Sequence, residues 1–326
     1  MSDTLRPPRP PRAWENEAVP SPPRPDWMRV RLRLTPEFEA VRSTVESQKL
    51  HTVCFSAACP NLGECWARGT ATFMIGGNTC TRRCGFCDVA TGRPGGLDPG
   101  EPERVAEAVA TLGLGFAVVT AVARDDLPDG GAGQMAATVQ AIRRRCPGTG
   151  IEVLIPDYQG DEAALQSVLD AGPDVLNHNL ETVERLQRAV RPAARYGRSL
   201  GVLRRAGELR SDIPTKSGLM LGLGESDAEI VQALSDLRTA GVSLLTLGQY
   251  LRPSPSHLPV VRYVPPAEFQ AWAGRARELG FSDVAAGALV RSSYHAERLA
   301  GRGPHDGPHA APSPRAASGG PEKRLA

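Results

Sequence analysis

From residue 71 onward the chain alternates short apolar runs with longer stretches whose apolar positions recur every three to four residues. The short runs are "ATFMI" (71–75), "FAVVTAV" (116–122), "IEVLIP" (151–156), "DVLNHN" (174–179), "SGLMLGL" (217–223) and "SLLTLGQ" (243–249). Their length and apolar content predict buried strands. The longer stretches predict helices over 101–113, 133–145, 161–172, 226–241 and 266–280, with helical stretches near 181–190 and 198–209. Gly113 and Gly172 read as stops, Asp161 and Ser226 as caps, and the proline near 266 as a start. Residues 283–289 predict a last extended segment.

Strand–helix alternation of this length implies a parallel sheet covered by helices. About six repeats begin with the 71–75 strand, too few for a complete eight-fold barrel. The expected fold class is therefore α/β, a partial (β/α)6 TIM-type barrel with an N-terminal extension. In such a fold the reactive groups belong at the carboxyl ends of the strands. The segment that follows residue 75 lies at that end.

Composition narrows the picture at the two ends. Residues 1–25 and 301–326 are rich in proline, glycine and serine without apolar periodicity, and are expected to be a disordered leader and tail. The formal net charge of +2 over 326 residues gives bulk electrostatics no purchase on nucleic acid or membrane. No apolar run approaches the roughly 20 residues a bilayer span needs. The start has no secretory apolar core, and its prolines oppose a transit-peptide helix. A cytoplasmic location follows as the expectation.

The chemistry sits in the cysteines. Six of the seven fall between residues 54 and 87, and Cys146 stands apart. In a long chain without an export signal, metal binding is favoured over disulfides. Cys80, Cys84 and Cys87 are spaced C-x3-C-x2-C directly after the first strand. Three thiolates with no fourth nearby could belong to a zinc site with a distant ligand, or hold three irons of a [4Fe–4S] cluster and leave the fourth open. A small molecule with an amine and a carboxylate could chelate that open iron. The motif, its place after a first strand and Phe86 before the third cysteine resemble the radical S-adenosylmethionine (SAM) superfamily. That resemblance implies a SAM-binding [4Fe–4S] cluster whose electron breaks the sulfonium bond and yields a 5′-deoxyadenosyl radical.

A second triplet, Cys54, Cys59 and Cys65, is spaced C-x4-C-x5-C upstream of the strand. Together with "TATFMIGGNTCTRRCGFC" it resembles the lipoyl synthase family. The likeness continues through "VVTAVARDDLPDGGA" (118–132), "NHNLETVERL" (177–186), "KSGLMLGLGE" (216–225), "LTLGQYLRPSPSHLPVVRYVPPAEF" (245–269) and "VRSSYHAE" (290–297). It covers roughly residues 26–298.

The resemblance implies a sulfurtransferase that inserts sulfur at C6 and C8 of a protein-bound octanoyl chain. Its cofactors would be two [4Fe–4S] clusters and SAM, the auxiliary cluster serving as sulfur donor. By the same resemblance Cys54, Cys59, Cys65 and Ser293 ligate the auxiliary cluster, and Cys80, Cys84 and Cys87 the SAM-binding one. The implied partners are octanoylated lipoyl-carrier domains, namely 2-oxoacid dehydrogenase E2 subunits and glycine cleavage H protein, and a small electron donor such as flavodoxin or ferredoxin. Other radical SAM sulfur-inserting enzymes, biotin-synthase-like or methylthio-transferring, and a non-catalytic cluster or metal carrier are the alternatives.

Weaker candidates for cofactor contacts are Asp125 after the 116–122 strand, and Asn177, His178, Asn179 and Glu181 where the 174–179 strand closes. Each has an ordinary structural alternative as a cap or a buried polar group. The chain departs from the family pattern at Phe55, Ser56, Gly76, Asn78, Thr79, Ala121 and Ala123, none of them an implied ligand. The expected organisation is a leader (1–25), a cluster-binding N-terminal extension (26–70), the barrel (71–290), a serine-ligand segment (291–300) and a tail (301–326).

Overall fold

The computed structural model describes residues 20–28, 36–53, 61, 72–294 and 296–299. Ten strands lie among them: β1 (His51–Thr52), β2 (Thr72–Ile75), β3 (Thr79–Cys80), β4 (Ala90–Thr91), β5 (Phe116–Ala121), β6 (Gly150–Leu154), β7 (Val175–Asn177), β8 (Thr215–Leu221), β9 (Leu244–Gln249) and β10 (Asp283–Gly287). One sheet is ordered β1-β2-β5-β6-β7-β8-β9-β10. The two-residue β1 is antiparallel to β2, and every other neighbouring pair is parallel.

Helices Glu101–Thr111, Ala132–Arg145, Glu162–Asp170, Tyr196–Leu209, Asp227–Thr239 and Pro266–Glu278 follow β2, β5, β6, β7, β8 and β9 in turn. The α/β partial barrel is thus the fold. Its last strand is more than the extended segment expected at 283–289, because β10 pairs parallel with β9 over its whole length. β1 and β10 form the two edges of the sheet, which stays open between them.

Local chemistry accounts for the boundaries. Asp161 accepts hydrogen bonds from the amides of Ala163 and Ala164, and Ser226 with Glu229 forms a reciprocal capping box. β8 begins and ends two residues before the expected 217–223. Gly222 sits at φ +101°, where the chain leaves the strand. The stretch 181–190 is not a single helix. Glu181 lies at φ +68° and bridges to Leu219, so only Gln187–Val190 is α-helical after a short turn.

Strand alternation divides the side chains. Phe73, Ile75, Ala117, Val119, Ile151, Val153 and Leu176 face the helices in one apolar cluster, and Leu219, Leu221, Leu245, Leu247 and Val284 in another. Burying each large side chain contributes about 1.5–3 kcal/mol. The opposite parity faces the barrel interior and carries the polar or small residues Glu152, Asn177, Lys216, Gly218 and Thr246. Lys216 Nζ lies 2.8 Å from Glu152 Oε2, and Asn177 Nδ2 donates to Glu152 Oε1 at 2.8 Å. Phe116 and Val118, also on the inner parity of β5, pack against Ala296 of the short helix Ala296–Leu299.

The N-terminal helix Pro36–Ser47 adds Phe38, Val41 and Val45 to the first cluster. The described end of the leader packs too, Ser21 Oγ accepting from the amide of Val260 at 3.0 Å, and Met28 at the start of the extension is buried. Among the described residues no helix is long and apolar enough to cross a membrane.

Candidate metal centre

The chain leaves β2 through Gly76 and Gly77, at φ +81° and +96°. The amide of Gly76 donates to Glu101 Oε2 at 2.9 Å, and Arg124 Nη1 donates to the Gly76 carbonyl at 3.1 Å. With its origin fixed, the loop is closed at its base by β3 and β4, where Cys80 pairs opposite Thr91. Further contacts press the loop onto the barrel mouth. The Gly85 amide donates to the Val190 carbonyl at 2.7 Å, and the Leu258 amide to the Gly85 carbonyl at 3.1 Å. His257 Nε2 lies 3.1 Å from the Cys87 carbonyl and its Nδ1 2.8 Å from Ser254 Oγ. A carbonyl can only accept, so Nε2 carries the proton.

Cys80, Cys84 and Cys87 are all unbridged. Burial pushes the Cys84 thiol up to about 11 and the Cys87 thiol up to about 12, and raises Cys80 as well. The charge of Cys80 adds to the rise at Cys84, and those of Cys84 and Cys80 to the rise at Cys87, while the Arg191 and Arg82 guanidiniums pull Cys84 back. The three sulfurs therefore share one electrostatic neighbourhood. Among the described residues, no three His, Cys, Asp or Glu side chains converge on a single ion. Three soft thiol donors on one loop are a ligand set for three corners of an iron–sulfur cube. Phe86 stands beside them in an apolar wall with Val190, Leu223, Tyr250 and Val260, which keeps water away.

Asn179 and Glu181 come to the same place. The Glu181 backbone is held against β8, its amide bonded to the Gly218 carbonyl at 2.9 Å and its carbonyl to the Met220 amide at 2.8 Å. Burial raises the Glu181 carboxyl, partly offset by Arg191 and by a hydrogen bond from Asn179. Its charge reaches Cys84 and Cys87. The Asn179 side-chain oxygen is buried without a partner. Gly218 leaves room for it: a Cβ there would sit 3.0 Å from that oxygen and 2.5 Å from Thr246 Oγ1.

The other pocket candidates are engaged by protein. Asp125 takes a two-pronged hydrogen bond from Arg82, at 2.7 and 2.6 Å, and is 3.1 Å from Thr81 Oγ1. Asn177 serves the Glu152–Lys216 pair, with its own oxygen buried and unpartnered. His178 is buried, with Nδ1 2.8 Å from the Ile155 carbonyl and Nε2 2.9 Å from Ser199 Oγ. Arg82, Arg191 and His257 were assigned no role from sequence, yet all three contact or charge the cysteine loop. An arginine inside C-x3-C was the one legible hint, since a cation among thiolates has an electrostatic consequence wherever it points.

Burial, aided by Arg191, lowers His178 to about 4. An unfolded histidine titrates near 6.5. Between those values the unfolded chain binds more protons, so this contribution is intact above about pH 6.5 and is lost as pH falls toward 4. Complete loss amounts to about 3 kcal/mol. Urea midpoints of the wild type and His178→Gln at pH 7, 5.5 and 4.5 should show a shallower acid decline in the variant. Equal slopes would assign the decline to other groups.

Cys54, Cys59 and Cys65 lie outside the described residues. Asn61, between Cys59 and Cys65 in sequence, is described and buried, and its Nδ2 donates to the Leu289 carbonyl at 2.6 Å. Leu289 is four residues before Ser293. The turn that carries Ser293 is closed by Val290 N to the Gly287 carbonyl at 3.1 Å and Tyr294 N to the Arg291 carbonyl at 2.9 Å. It crosses β9 at Gly248, where a Cβ would come within 2.2 Å of the Val290 carbonyl oxygen.

The family model described as the radical SAM superfamily matches residues 74–237. The chain is 57% identical over 273 residues to the lipoyl synthase of Rubrobacter xylanophilus, covering 84% of this chain and 85% of that protein. It is 55% identical over 278 residues to the lipoyl synthase of Thermus thermophilus, covering 85% and 86%. Among solved structures, HydG, a maturase of the [FeFe]-hydrogenase, superposes with a TM-score of 0.52 at 14% identity, over 81% of this chain and 74% of that one. Streptococcus suis SuiB gives 0.51 at 9% identity, over 69% and 51%. Those two likenesses speak for the fold alone. With its three thiols at the mouth of a partial barrel, the chain belongs to the lipoyl synthase family of the radical SAM superfamily.

Proposed function

We propose that this chain inserts sulfur at C6 and C8 of an octanoyl group carried on a protein lysine. Family membership makes it a radical SAM enzyme of lipoyl formation that uses a [4Fe–4S] cluster and SAM. Cys80, Cys84 and Cys87 hold that cluster, and when bound it supplies with SAM a carbon radical able to open an unactivated C–H bond. The chain's own part is to bind, orient and dry the site. Phe86, Val190, Leu223, Tyr250 and Val260 exclude water from the cluster side. Asn179 offers a buried carboxamide oxygen to a donor of SAM, and Glu181 a carboxylate beside it. Asp125, His178 and Asn177 act from behind, holding the loops that carry those groups.

A second [4Fe–4S] cluster, held by Cys54, Cys59, Cys65 and Ser293, is the sulfur donor in this reading. The observation that carries it is the Asn61–Leu289 hydrogen bond, which joins the stretch between two of those cysteines to the segment leading to Ser293. A hard serine oxygen on a soft site is a weak ligand, suited to an iron that must leave. Lipoyl-carrier domains of 2-oxoacid dehydrogenase E2 subunits and H protein are the proposed substrates, a flavodoxin or ferredoxin the reductant, and the cytoplasm the location.

The deciding experiment is mass analysis of an octanoylated lipoyl-domain peptide after anaerobic turnover with SAM and reductant. A gain of two sulfurs is expected, and SAM cleavage without sulfur on the peptide would overturn the reading. Reconstituted protein should hold about eight irons, about four per cluster. A value near four would remove the second cluster.

A further inference from the structure

Inside the C-x3-C arc the Arg82 side chain turns away from solvent, with only 6% of it exposed. Its Nε and Nη2 grip both oxygens of Asp125 at 2.7 and 2.6 Å. Nη2 also lies 2.6 Å from Asp157 Oδ1, a carboxylate with no exposure at all. Asp157 Oδ2 in turn lies 3.3 Å from Arg198 Nη1, on helix Tyr196–Leu209. The result is a chain of alternating charges, Asp125–Arg82–Asp157–Arg198, running from the cysteine loop past the ends of β5 and β6 to the barrel wall. The Arg82 amide additionally points at Cys80 Sγ at 3.4 Å.

Burial by itself would lift Asp157, but the hydrogen bond and charge of Arg82, together with the Gln159 amide, outweigh it and hold the carboxyl below its ordinary range. Buried ion pairs contribute little to stability once desolvation is subtracted, so a buried fork is better understood through what it positions. A lysine would keep the charge and lose the planar two-pronged grip. A positional error of about 1 Å at a reacting centre can cost about a hundredfold.

We infer that Arg82 is a positioning residue that pins the Cys80–Cys84 arc, and with it the cluster's open corner, against the ends of β5 and β6 through Asp125 and Asp157. This rests on the reading of Cys80, Cys84 and Cys87 as ligands of a SAM-binding cluster. The role follows from geometry: three carboxylate oxygens from the loops after two strands hold one guanidinium, and its residue is two positions from each of two ligands.

The test compares Arg82→Lys and Asp157→Asn with the wild type after anaerobic reconstitution. SAM is titrated into the reduced proteins while the electron paramagnetic resonance signal of the SAM-binding cluster is followed. The wild type must show a SAM-induced spectral change; if it does not, the cluster reading fails and not the pin. Given that change, both variants should need at least about tenfold more SAM to reach half of it, in keeping with the effect of outer partners on metal sites. The double variant should be no worse than the poorer single, as expected for one device. Failure of both variants to assemble the cluster, with the circular dichroism of the wild type retained, would equally support the pin. Wild-type SAM titrations in both, or a lowered melting temperature with unchanged spectra, would reduce Arg82 to an ordinary structural contact and overturn the inference.

Discussion

Cys84→Ala should abolish cleavage of SAM to 5′-deoxyadenosine, whereas Cys59→Ala should leave cleavage in place and stop sulfur transfer. Cys84 is the middle sulfur of the loop, half-buried, in electrostatic contact with Cys80, and flanked by Arg191 and Arg82. Its amide neighbour Gly85 is bonded on both sides, to Val190 and to Leu258, so no adjacent group can slide in to replace the ligand. Outer partners of metal ligands already cost 10–100-fold when removed, so loss of the ligand itself should exceed about a hundredfold. Cys59 belongs to the other triplet and is two residues from Asn61, whose anchor is the Leu289 carbonyl. Deoxyadenosine release and peptide mass, measured on both variants with reductant present, separate the two roles. Equal loss of SAM cleavage in both would contradict the division of labour.

Gly248→Ala should cut sulfur transfer by at least about tenfold while SAM cleavage persists, the order expected for disturbing what supports a ligand. The added methyl would meet the Val290 carbonyl oxygen at 2.2 Å, and that oxygen is backbone that cannot rotate aside. The Gly287–Tyr294 turn must lift, and Ser293 lifts with it. Overpacking of this kind costs about 1–3 kcal/mol, so the melting temperature should fall by several degrees. Gly274→Ala is the control, because nothing lies within 4 Å of its added Cβ in helix Pro266–Glu278. Alanine there should be neutral or slightly stabilising. Unimpaired sulfur transfer in Gly248→Ala, at an unchanged melting temperature, would detach Ser293 from the auxiliary site.

The first of these predictions depends on the cysteine loop being a clamped object. Arg82 grips it at one end, while His257 and Leu258 grip it at the other. Between those points Phe86 is packed into the wall of Val190, Leu223, Tyr250 and Val260. Preorganised ligands, a dry neighbour and fixed amides are what a site needs when it must direct a reactive carbon radical at one bond and shield it from water.

The periodic elements were legible in the chain because each is a local matter. Apolar runs between glycine and proline marked β5, β6 and β9 to within two residues. Asp161 and Ser226 cap the helices they introduce, since a cap is satisfied three residues away or nearer. The cysteine triplet was equally plain, because its spacing is itself the chemistry. Two-residue strands such as β1, β3 and β4 carry no period, so no pattern could announce them.

What the chain by itself determined is the three-cysteine loop after the first barrel strand, the βα alternation and the end of the sheet where the two meet. Tertiary structure alone decided which polar residues face the pocket. Asp125 and His178 are polar groups at strand ends just as Asn179 and Glu181 are, yet the first two are taken up by Arg82, Ser199 and the Ile155 carbonyl. Arg82 finds Asp125 across 43 residues, and His257 finds Cys87 across 170. A hydrogen bond between strand ends depends on which strands are neighbours and on their register, and those are set by packing of the whole sheet, not by any local run of sequence.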